Sequence, residues 1–315
     1  MRVFVAGATG AVGTHLLPLL VERGHDVVAA GRSTEKLTRL RGRGIETIAL
    51  DLLDAEAVRR AIIASRPAAV VHQATALAGI SDFRHFDRSF AATNSLRTRG
   101  TDALLAGARE AGVSRVVAQS YAGWPYARQG GPVKTEDDPL DPHPAASMRE
   151  TLSAIRYLER SVVDAGGIAL RYGSLYGGRI DAQIDLVRKR RFPIIGKGTG
   201  VWSFIHLHDA ATATVLAIEA AHPGVYNVTD DEPAPVRDWL PTLAQAVGAK
   251  PPLQVPRWLG RALGGEAVCV LMTESRGAAN GKIKRELGWT PRFPSWRQGF
   301  VESYGSPPRE VRQVA

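Results

Sequence analysis

The sequence predicts an α/β fold built on a doubly wound parallel sheet, followed by a smaller C-terminal lobe. Short apolar runs alternate with amphipathic stretches through the first half of the 315 residues, and this alternation loosens after Tyr172. Buried parallel strands appear as apolar runs, and right-handed crossovers between them place helices on both faces of the sheet. The predicted strands are Arg2–Ala6, 26–30, 45–50, 68–72, 115–119 and Ile168–Tyr172, and the predicted helices are 11–23, 54–65, 95–111 and 148–164.

The chain is expected to divide near residue 172. Residues 1–172 are predicted to form the sheet domain and residues 173–315 the smaller lobe, with segments near 204–229 returning to the sheet. The final residues, 306–315, are expected to be frayed. The elements predicted after residue 172 are helices at 182–191 and 207–221 and a strand at 225–229.

Composition narrows the class of ligand and the cellular setting. The 40 Lys and Arg outnumber the 31 Asp and Glu, which gives a formal net charge of +9. This charge favours anionic ligands, but the basic residues are interleaved with acids, and the compact run at 188–191 is expected to be a solvated helix end. No apolar stretch approaches the roughly 20 residues of a membrane helix, and nothing resembles a signal peptide. The single Cys269 has no partner for an intrachain disulfide. We therefore expect a cytoplasmic protein with no nucleic-acid or membrane partner.

A glycine-rich turn predicts a dinucleotide site. The segment Gly7-Ala-Thr-Gly-Ala-Val-Gly13 follows the first strand directly and opens a helix. In that context the first glycine permits a tight turn, Gly10 lets the backbone approach a pyrophosphate, and Gly13 allows the helix to pack closely on the strand. The helix N-terminus adds unpaired N–H groups and the positive end of its dipole. The expected contacts are Gly7, Thr9, Gly10, Ala11, Val12 and Gly13.

The end of the second strand indicates which dinucleotide is bound. An NAD site usually places an acid there, about 20 residues past the glycines, to hold the ribose hydroxyls. This chain instead has Gly31-Arg32-Ser33, with no carboxylate at that place. A guanidinium can bind a 2′-phosphate through two parallel hydrogen bonds, and Ser33 lies beside it in the sequence. The sequence therefore favours NADP(H) over NAD(H).

Further motifs give the chain a resemblance to a known family. They are Asp51-Leu52 after the third strand, 72–76 after the fourth, Thr93-Asn94 at the start of a helix, 170–177 and 204–209. With the glycine turn, they resemble the NAD(P)-dependent epimerase/dehydratase group of the extended and atypical short-chain dehydrogenase/reductase superfamily. The resemblance implies a Rossmann-like NAD(P)-binding domain, a C-terminal substrate lobe and a small-molecule substrate, and it leaves homodimerisation open. The further cofactor contacts that it implies are Asp51, Leu52, Gln73, Ala74, Thr75, Gln119 and Tyr172.

The catalytic pattern of that family is missing from this sequence. The resemblance implies Tyr-x-x-x-Lys on a helix, where the tyrosine is the acid or base and the lysine lowers its pKa and holds the nicotinamide ribose. A spacing of four residues is about one helical turn, so both side chains share a face. None of the seven tyrosines is followed by lysine four residues later. When the sequence is aligned so that Glu159 matches the acidic residue that is usual in the family, Thr151 takes the tyrosine position and Ile155 takes the lysine position.

Three residues are candidates for the missing acid or base. Tyr121 is predicted at the mouth of the fifth strand, where its hydroxyl would face the nicotinamide and Arg149 or Arg156 would lower its pKa. Ser120 would donate a hydrogen bond to a substrate carbonyl, and Thr151 occupies the tyrosine position. For each of them, a structural role in capping or packing is the alternative.

The sequence defines the substrate and the reaction less narrowly. Four aromatic residues are expected to line the substrate pocket: Trp124, Tyr126, Tyr176 and Trp202. No metal site is predicted, because His206, His208 and Asp209 lack further ligands. We expect an NADP(H)-dependent oxidoreductase or epimerase-like enzyme acting on a small carbonyl, alcohol or imine with a non-standard proton donor. The alternatives are a redox-neutral isomerase that uses bound cofactor and an NADP(H)-binding sensor with reduced catalysis.

Overall fold

The computed structural model describes residues 1–80, 82–178, 181–220 and 222–305. The segment at 306–315, expected to be frayed, and the last residue of the helix predicted at 207–221 lie outside the described residues. The strands are β1 Arg2–Ala6, β2 Asp26–Gly31, β3 Glu46–Ala49, β4 Ala69–His72, β5 Arg115–Tyr121, β6 Val133–Lys134, β7 Ile168–Tyr172, β8 Ser174–Tyr176, β9 Ile194–Ile195, β10 Val201–Trp202, β11 Phe204–His206, β12 Gly224–Val228, β13 Ala234–Pro235, β14 Gln254–Val255 and β15 Gly277–Ala278.

Helices connect these strands along most of the chain. A π-helical turn, Leu96–Gly100, joins the fourth helix to the fifth, and a 3-10 turn, Ala146–Met148, precedes the sixth. The helices are α1 Ala11–Glu22, α2 Thr34–Arg41, α3 Ala55–Ser65, α4 Phe86–Ser95, α5 Thr101–Glu110, α6 Arg149–Asp164, α7 Asp181–Arg188, α8 Leu207–Glu219, α9 Val236–Ala246, α10 Arg257–Thr273, α11 Gly281–Leu287 and α12 Trp296–Tyr304.

Seven parallel strands form the central sheet, in the order β12-β7-β5-β4-β1-β2-β3. Val3 of β1 lies opposite Val27 of β2 on one side and opposite Ala69 of β4 on the other. The strand order therefore changes direction between β1 and β4. Ligands of such sheets bind in the crevice outside the carboxyl ends at this point. The sheet and its flanking helices confirm the predicted doubly wound α/β fold.

The long helix predicted at 95–111 differs from the structure. The chain instead forms α4, then the π turn, then α5. Side-chain hydroxyls stabilise the wide turn: Thr98 Oγ1 donates to the Asn94 carbonyl at 2.9 Å, and Thr101 Oγ1 donates to the Arg97 carbonyl at 2.8 Å. A π turn inserts a residue without ending the helix, so the apolar pattern of the sequence does not reveal it.

Buried apolar side chains cover both faces of the sheet and hold its carboxyl edge in place. Successive residues of β1 point to opposite faces, so Val3 and Val5 pack towards α1 and α8. Phe4 packs on the other face, in a core that includes Ile62 of α3 and Leu104 of α5. Each fully buried side chain of this size contributes about 1.5–3 kcal/mol. The helices on the two faces are thereby fixed relative to the strand ends.

The chain beyond residue 172 both extends the sheet and builds a second core. Strand β12 pairs with β7, at the edge of the sheet. The other C-terminal elements surround an aromatic core that contains Phe204, Trp239, Trp296 and Phe300. Two-stranded pairs lie outside the central sheet: β8 with β11, β10 with β13, β9 with β14 and β6 with β15. No helix in the described part of the chain is long and apolar enough to cross a bilayer.

The two-sided core generates a stability prediction. Phe4 is fully buried, so Phe4→Ala should lower the free energy of unfolding by about 3–5 kcal/mol through lost burial and a residual cavity. Val21 on α1 is 50% exposed, so Val21→Ala is the matched control, with an expected change within about 0.5 kcal/mol. Urea unfolding followed by circular dichroism measures both. Equal losses for the two variants would contradict the assignment of Phe4 to the core.

Candidate active site

The turn between β1 and α1 brings backbone too close for side chains at two glycines. Gly7 has a φ of +83°, and a Cβ there would lie 2.5 Å from the Ala74 nitrogen. A Cβ at Gly13 would lie 2.4 Å from the Ala8 carbonyl oxygen. Hydrogen bonds from the Gly7 and Ala8 N–H groups to the Ala30 carbonyl, at 3.0 and 3.2 Å, hold the turn against β2. Glycine at these positions is therefore a steric requirement of the turn.

The first turn of α1 fits a phosphate. Its N-cap is Gly10, so no side chain caps the helix, and the first turn contains no acidic residue. Gly10 and Ala11 are exposed, Thr9 is half-buried, and Val12 is buried beneath them. The helix dipole and N–H groups without a side-chain acceptor favour a bound anion. These residues fit the pyrophosphate of a dinucleotide, as the sequence predicts.

The predicted ribose and adenine contacts lie together at the ends of β2 and β3. Arg32 is exposed just beyond β2, and Ser33 caps α2 by accepting from the Lys36 N–H at 3.4 Å. The Leu50 N–H donates to the Gly31 carbonyl at 2.9 Å, which places Asp51 and the buried Leu52 next to Arg32 in the crevice wall. This corner presents one guanidinium and one exposed carboxylate to solvent. The guanidinium fits a 2′-phosphate, whereas the carboxylate has the place that the resemblance gives to adenine.

The segment after β4 forms the floor of the crevice. The Gln73 N–H donates to the Ala6 carbonyl at 2.8 Å, and Ala74 and Thr75 follow, half-buried. Gln73 Nε2 donates to Tyr172 Oη at 2.8 Å, and that oxygen lies 2.5 Å from Thr214 Oγ1. The structure therefore places Tyr172, predicted as a cofactor contact, in the core below the crevice with its hydroxyl engaged by protein. The predicted contact Gln119 lies half-buried in β5.

A small cleft opens at the carboxyl ends of β5 and β7. Tyr121 is half-buried in it, and its Oη lies 3.2 Å from Ser174 Oγ. Trp124 and Trp202, two of the predicted substrate contacts, also line this cleft. The residues that complete its lining are Ala122, Gly123, Val201, Ser203, Leu271 and Ser275. Sequence reasoning named none of these six residues. The last two come from the end of α10 and the residues after it, far along the chain.

The expected lowering of the Tyr121 pKa is wrong. Burial raises the pKa of Tyr121, and this effect outweighs the hydrogen bond with Ser174 and the attraction of the Arg97 charge, both of which lower it. Arg156, expected beside Tyr121, instead donates to the Asp141 carbonyl at 2.5 Å, and Arg149 is exposed. Tyr121 therefore carries its proton at neutral pH and is a hydrogen-bond donor.

Ser120 belongs to a buried ionic network. Arg171 donates to both oxygens of Glu159 at 2.7 Å, and Ser120 Oγ donates to Glu159 Oε1 at 2.6 Å. Arg171 also donates to Tyr126 Oη at 2.9 Å, and Tyr126 donates to Asn227 Oδ1 at 2.5 Å. The structure therefore gives Ser120, a predicted catalytic residue, a partner inside the protein. It places Tyr126, a predicted substrate contact, fully in the interior.

Thr151, the third predicted catalytic residue, is also engaged by protein. It is fully buried, its Oγ1 donates to Asp87 Oδ1 at 2.6 Å, and it accepts from Asn94 Nδ2 at 3.0 Å. Ile155, one turn later, is buried and apolar. Asp87 further accepts the N–H groups of Glu150 and Thr151, at 3.0 and 2.8 Å, and so caps α6. A capping side chain normally immediately precedes its helix, so sequence reasoning missed an acid placed on α4.

The remaining candidates lie away from the cleft. Tyr176 is buried among the aromatic side chains of the second core, next to Phe300, and does not line the cleft. His206 Nδ1 accepts from the His208 N–H at 3.1 Å, and Asp209 accepts from the N–H groups of Arg292 and Phe293 at 2.9 Å. These polar groups cap and connect elements. Within the described ranges, no three His, Cys, Asp or Glu side chains are grouped so as to hold a metal ion.

Comparisons with known proteins agree with this geometry. Residues 3–229 match the model of the NAD dependent epimerase/dehydratase family. A 3-diazoavenalumate denitrifying reductase from Streptomyces sp is 43% identical over 312 residues, which cover 95% of this chain and 99% of the relative. A 4-hydroxy-2-methyl-3-oxo-4-farnesyl-3,4-dihydroquinoline-1-oxide ketoreductase from Stigmatella aurantiaca is 28% identical and covers 93% of this chain and 92% of its own length.

Solved structures share the fold over almost the whole chain. The UDP-glucose 4-epimerase of Thermus thermophilus, in complex with NAD, superposes with a TM-score of 0.73 at 23% identity, covering 96% of this chain and 98% of the epimerase. The extended short-chain dehydrogenase/reductase fold is thus common to them. The chain belongs to the NAD-dependent epimerase/dehydratase family and is an NAD(P)-dependent enzyme of the short-chain dehydrogenase/reductase type.

Proposed function

We propose that this enzyme is an NADPH-dependent reductase that replaces the diazo group of an aromatic substrate by hydrogen. One observation carries the proposal: the positions implied for the catalytic tyrosine and lysine hold Thr151, whose hydroxyl is fully engaged, and the apolar Ile155. Neither can transfer a proton to a substrate. A relative that is 43% identical is named as a denitrifying reductase of a diazo compound.

The reaction balances without an acid from the protein. In its diazonium form the substrate carbon is electron-poor, and NADPH supplies a hydride to it when bound. The hydride electron pair forms the new C–H bond, the C–N bond breaks, and its electron pair leaves with dinitrogen. The products are the arene, dinitrogen and NADP⁺. A carbonyl would also need a proton on its oxygen, for which an enzyme normally positions a general acid.

The residues of the crevice have separate roles in this proposal. The glycine turn and α1 bind the pyrophosphate, Arg32 and Ser33 bind the 2′-phosphate, and Asp51 and Leu52 flank the adenine. Residues 1–172 would then supply the cofactor domain and residues 173–315 the substrate lobe. The latter contributes Trp202 to the lining of the cleft, to which Trp124 from the loop after β5 also belongs. Aromatic lining residues suit a planar substrate, which they would hold against the nicotinamide.

A second candidate function is the reduction of a small carbonyl compound. The pair Tyr121 and Ser174 favours it, because a protonated phenol beside a hydroxyl is a reasonable donor to a carbonyl oxygen. The 28% identical relative is named as a ketoreductase. The raised pKa of Tyr121 opposes this role, because a phenol that is harder to ionise is a weaker acid at neutral pH. The two functions make opposite predictions for Tyr121.

Replacement of Tyr121 separates the two functions. For an arenediazonium salt, Tyr121→Phe should leave the rate of dinitrogen release and NADPH oxidation unchanged, because no proton is donated. For a ketone, the same change should lower turnover by about 10²–10⁴-fold. Tyr157→Phe is the matched control, since its hydroxyl on α6 donates to Asp102. Enzyme-free reactions correct for direct reduction by NADPH.

The outcome for wild-type protein decides the main proposal. Stoichiometric release of dinitrogen and transfer of deuterium from C4-deuterated NADPH to the arene are expected. If wild-type enzyme reduces ketones but not diazonium salts, and Tyr121→Phe abolishes that activity, the carbonyl function replaces the one proposed.

The preference for NADPH can be tested at Arg32. Loss of a charge-assisted contact to the 2′-phosphate should weaken NADPH binding by about ten- to a hundredfold in Arg32→Ala and leave NADH binding unchanged. Arg39→Ala on α2 is the control, since Arg39 pairs with Glu35 at 2.5 Å on the surface. Isothermal titration with both cofactors gives the dissociation constants. Equal affinities of wild-type protein for NADPH and NADH would refute the role of Arg32.

A further inference from the structure

Arg97 is a buried guanidinium without a carboxylate partner in the part of the chain that the structure describes. Its side chain is 7% exposed, and its one hydrogen bond there runs from Nη1 to Asn94 Oδ1 at 3.4 Å. Burial of an unpaired charge is strongly unfavourable, so such groups persist where a ligand compensates them. Burial lowers the pKa of Arg97 to about 10, so it stays charged at neutral pH.

The acid whose charge acts on Arg97 is already paired with another arginine. The charge of Glu159 attracts Arg97, but both Glu159 oxygens accept from Arg171, and one also accepts from Ser120. His72, whose ring contacts the Leu96 carbonyl next to Arg97 in the chain, is neutral because burial lowers its pKa to about 4. The group of Arg97, Arg171, Glu159 and His72 therefore has one positive charge in excess.

Arg97 lies on the π turn, which packs beside the carboxyl end of β4. His72, at the end of β4, donates from Nε2 to the Leu96 carbonyl at 3.1 Å, which ties the π turn to the sheet. A hydrogen-bonded chain from Asp87 through Thr151 and Asn94 then reaches the guanidinium. Arg97 interacts electrostatically with Tyr121 in the cleft. π turns are frequent at functional sites.

We propose that Arg97 binds a carboxylate of the substrate, so that the enzyme selects aromatic acids. This inference rests on the proposed function for the nature of the substrate, and it names a group that the substrate must carry. The planar fork of a guanidinium matches a carboxylate with two parallel hydrogen bonds. The phosphates of the cofactor have their own sites at α1 and Arg32, at the other side of the crevice. The positive charge of Arg97 is thus available to bind an anionic group of the substrate.

Binding of an unreactive probe tests this role without turnover. Titration of cinnamate and of the uncharged cinnamamide into NADP⁺-saturated protein should show tighter binding of cinnamate. Arg97→Gln should weaken cinnamate about tenfold or more and leave cinnamamide unchanged. Arg97→Lys should recover part of the loss, because it restores the charge but not the fork. Arg99→Gln is the matched control, since Arg99 is exposed on the same turn.

Two further readouts distinguish substrate binding from other roles of Arg97. The affinity for NADP⁺ should be the same in Arg97→Gln and wild type, and a loss there in place of cinnamate binding would assign Arg97 to the cofactor. The urea midpoint of Arg97→Gln should stay close to that of wild type, because no internal ion pair is broken and only the long contact with Asn94 is lost. A drop in the midpoint as large as that expected when one partner of a buried ion pair is removed would show an internal charge partner and overturn the proposal.

The remaining outcomes are also decisive. The proposal is overturned if wild-type protein binds neither probe, if it binds both equally, or if Arg97→Gln leaves cinnamate affinity unchanged. Failure of the wild-type enzyme to reduce any diazonium salt would refute the proposed function instead. In that case the cinnamate titrations would still decide whether Arg97 is a carboxylate site.

Discussion

The charged groups buried at the carboxyl ends of β5 and β7 must be paired with each other, and this requirement fixes the positions of the elements around the site. Arg171 on β7 and Glu159 on α6 form a buried pair with N–O distances of 2.7 Å, and Ser120 joins β5 to it. Loss of one partner of such a pair costs about 3–5 kcal/mol, because the other charge stays buried. The three elements are therefore held in one arrangement. Since Arg171 satisfies Glu159 completely, the acid is not available to the neighbouring Arg97.

The site has a fixed structure although Thr151 and Ile155 occupy the positions that the resemblance implies for the tyrosine and the lysine. The space for the dyad contains a hydrogen-bonded chain from Asp87 through Thr151 and Asn94, which ends at a guanidinium. These hydrogen bonds position the charge of Arg97 but provide no group that can donate a proton to a substrate. Tyr121 is not a strong proton donor either, because burial raises its pKa. The proposed reaction would need no such acid, because hydride transfers to a cationic carbon and dinitrogen leaves. Under the proposal for Arg97, this guanidinium would orient an anionic group of that substrate.

The sequence predicts the sheet and the glycine turn well, because each depends on local chemistry. Apolar runs mark β1, and Gly7 must be glycine whatever the rest of the chain does. The catalytic end depends on partners distant in sequence, such as Asp87 with Thr151 and Ser120 with Glu159. No spacing rule links these pairs, so Ser120 and Thr151 appeared as free hydroxyls. Arg97 was missed for the same reason, since an arginine in a helix usually lies in solvent and the π turn leaves no mark in the sequence.

Hydride transfer without a proton from the protein can be tested by isotope effects on kcat/KM for an arenediazonium salt. We expect a primary isotope effect with NADPH deuterated at the transferred position and no effect of D2O as solvent. A solvent isotope effect as large as that of the cofactor would place proton donation in the same transition state. That result would refute the proposed reaction and make Tyr121 the acid.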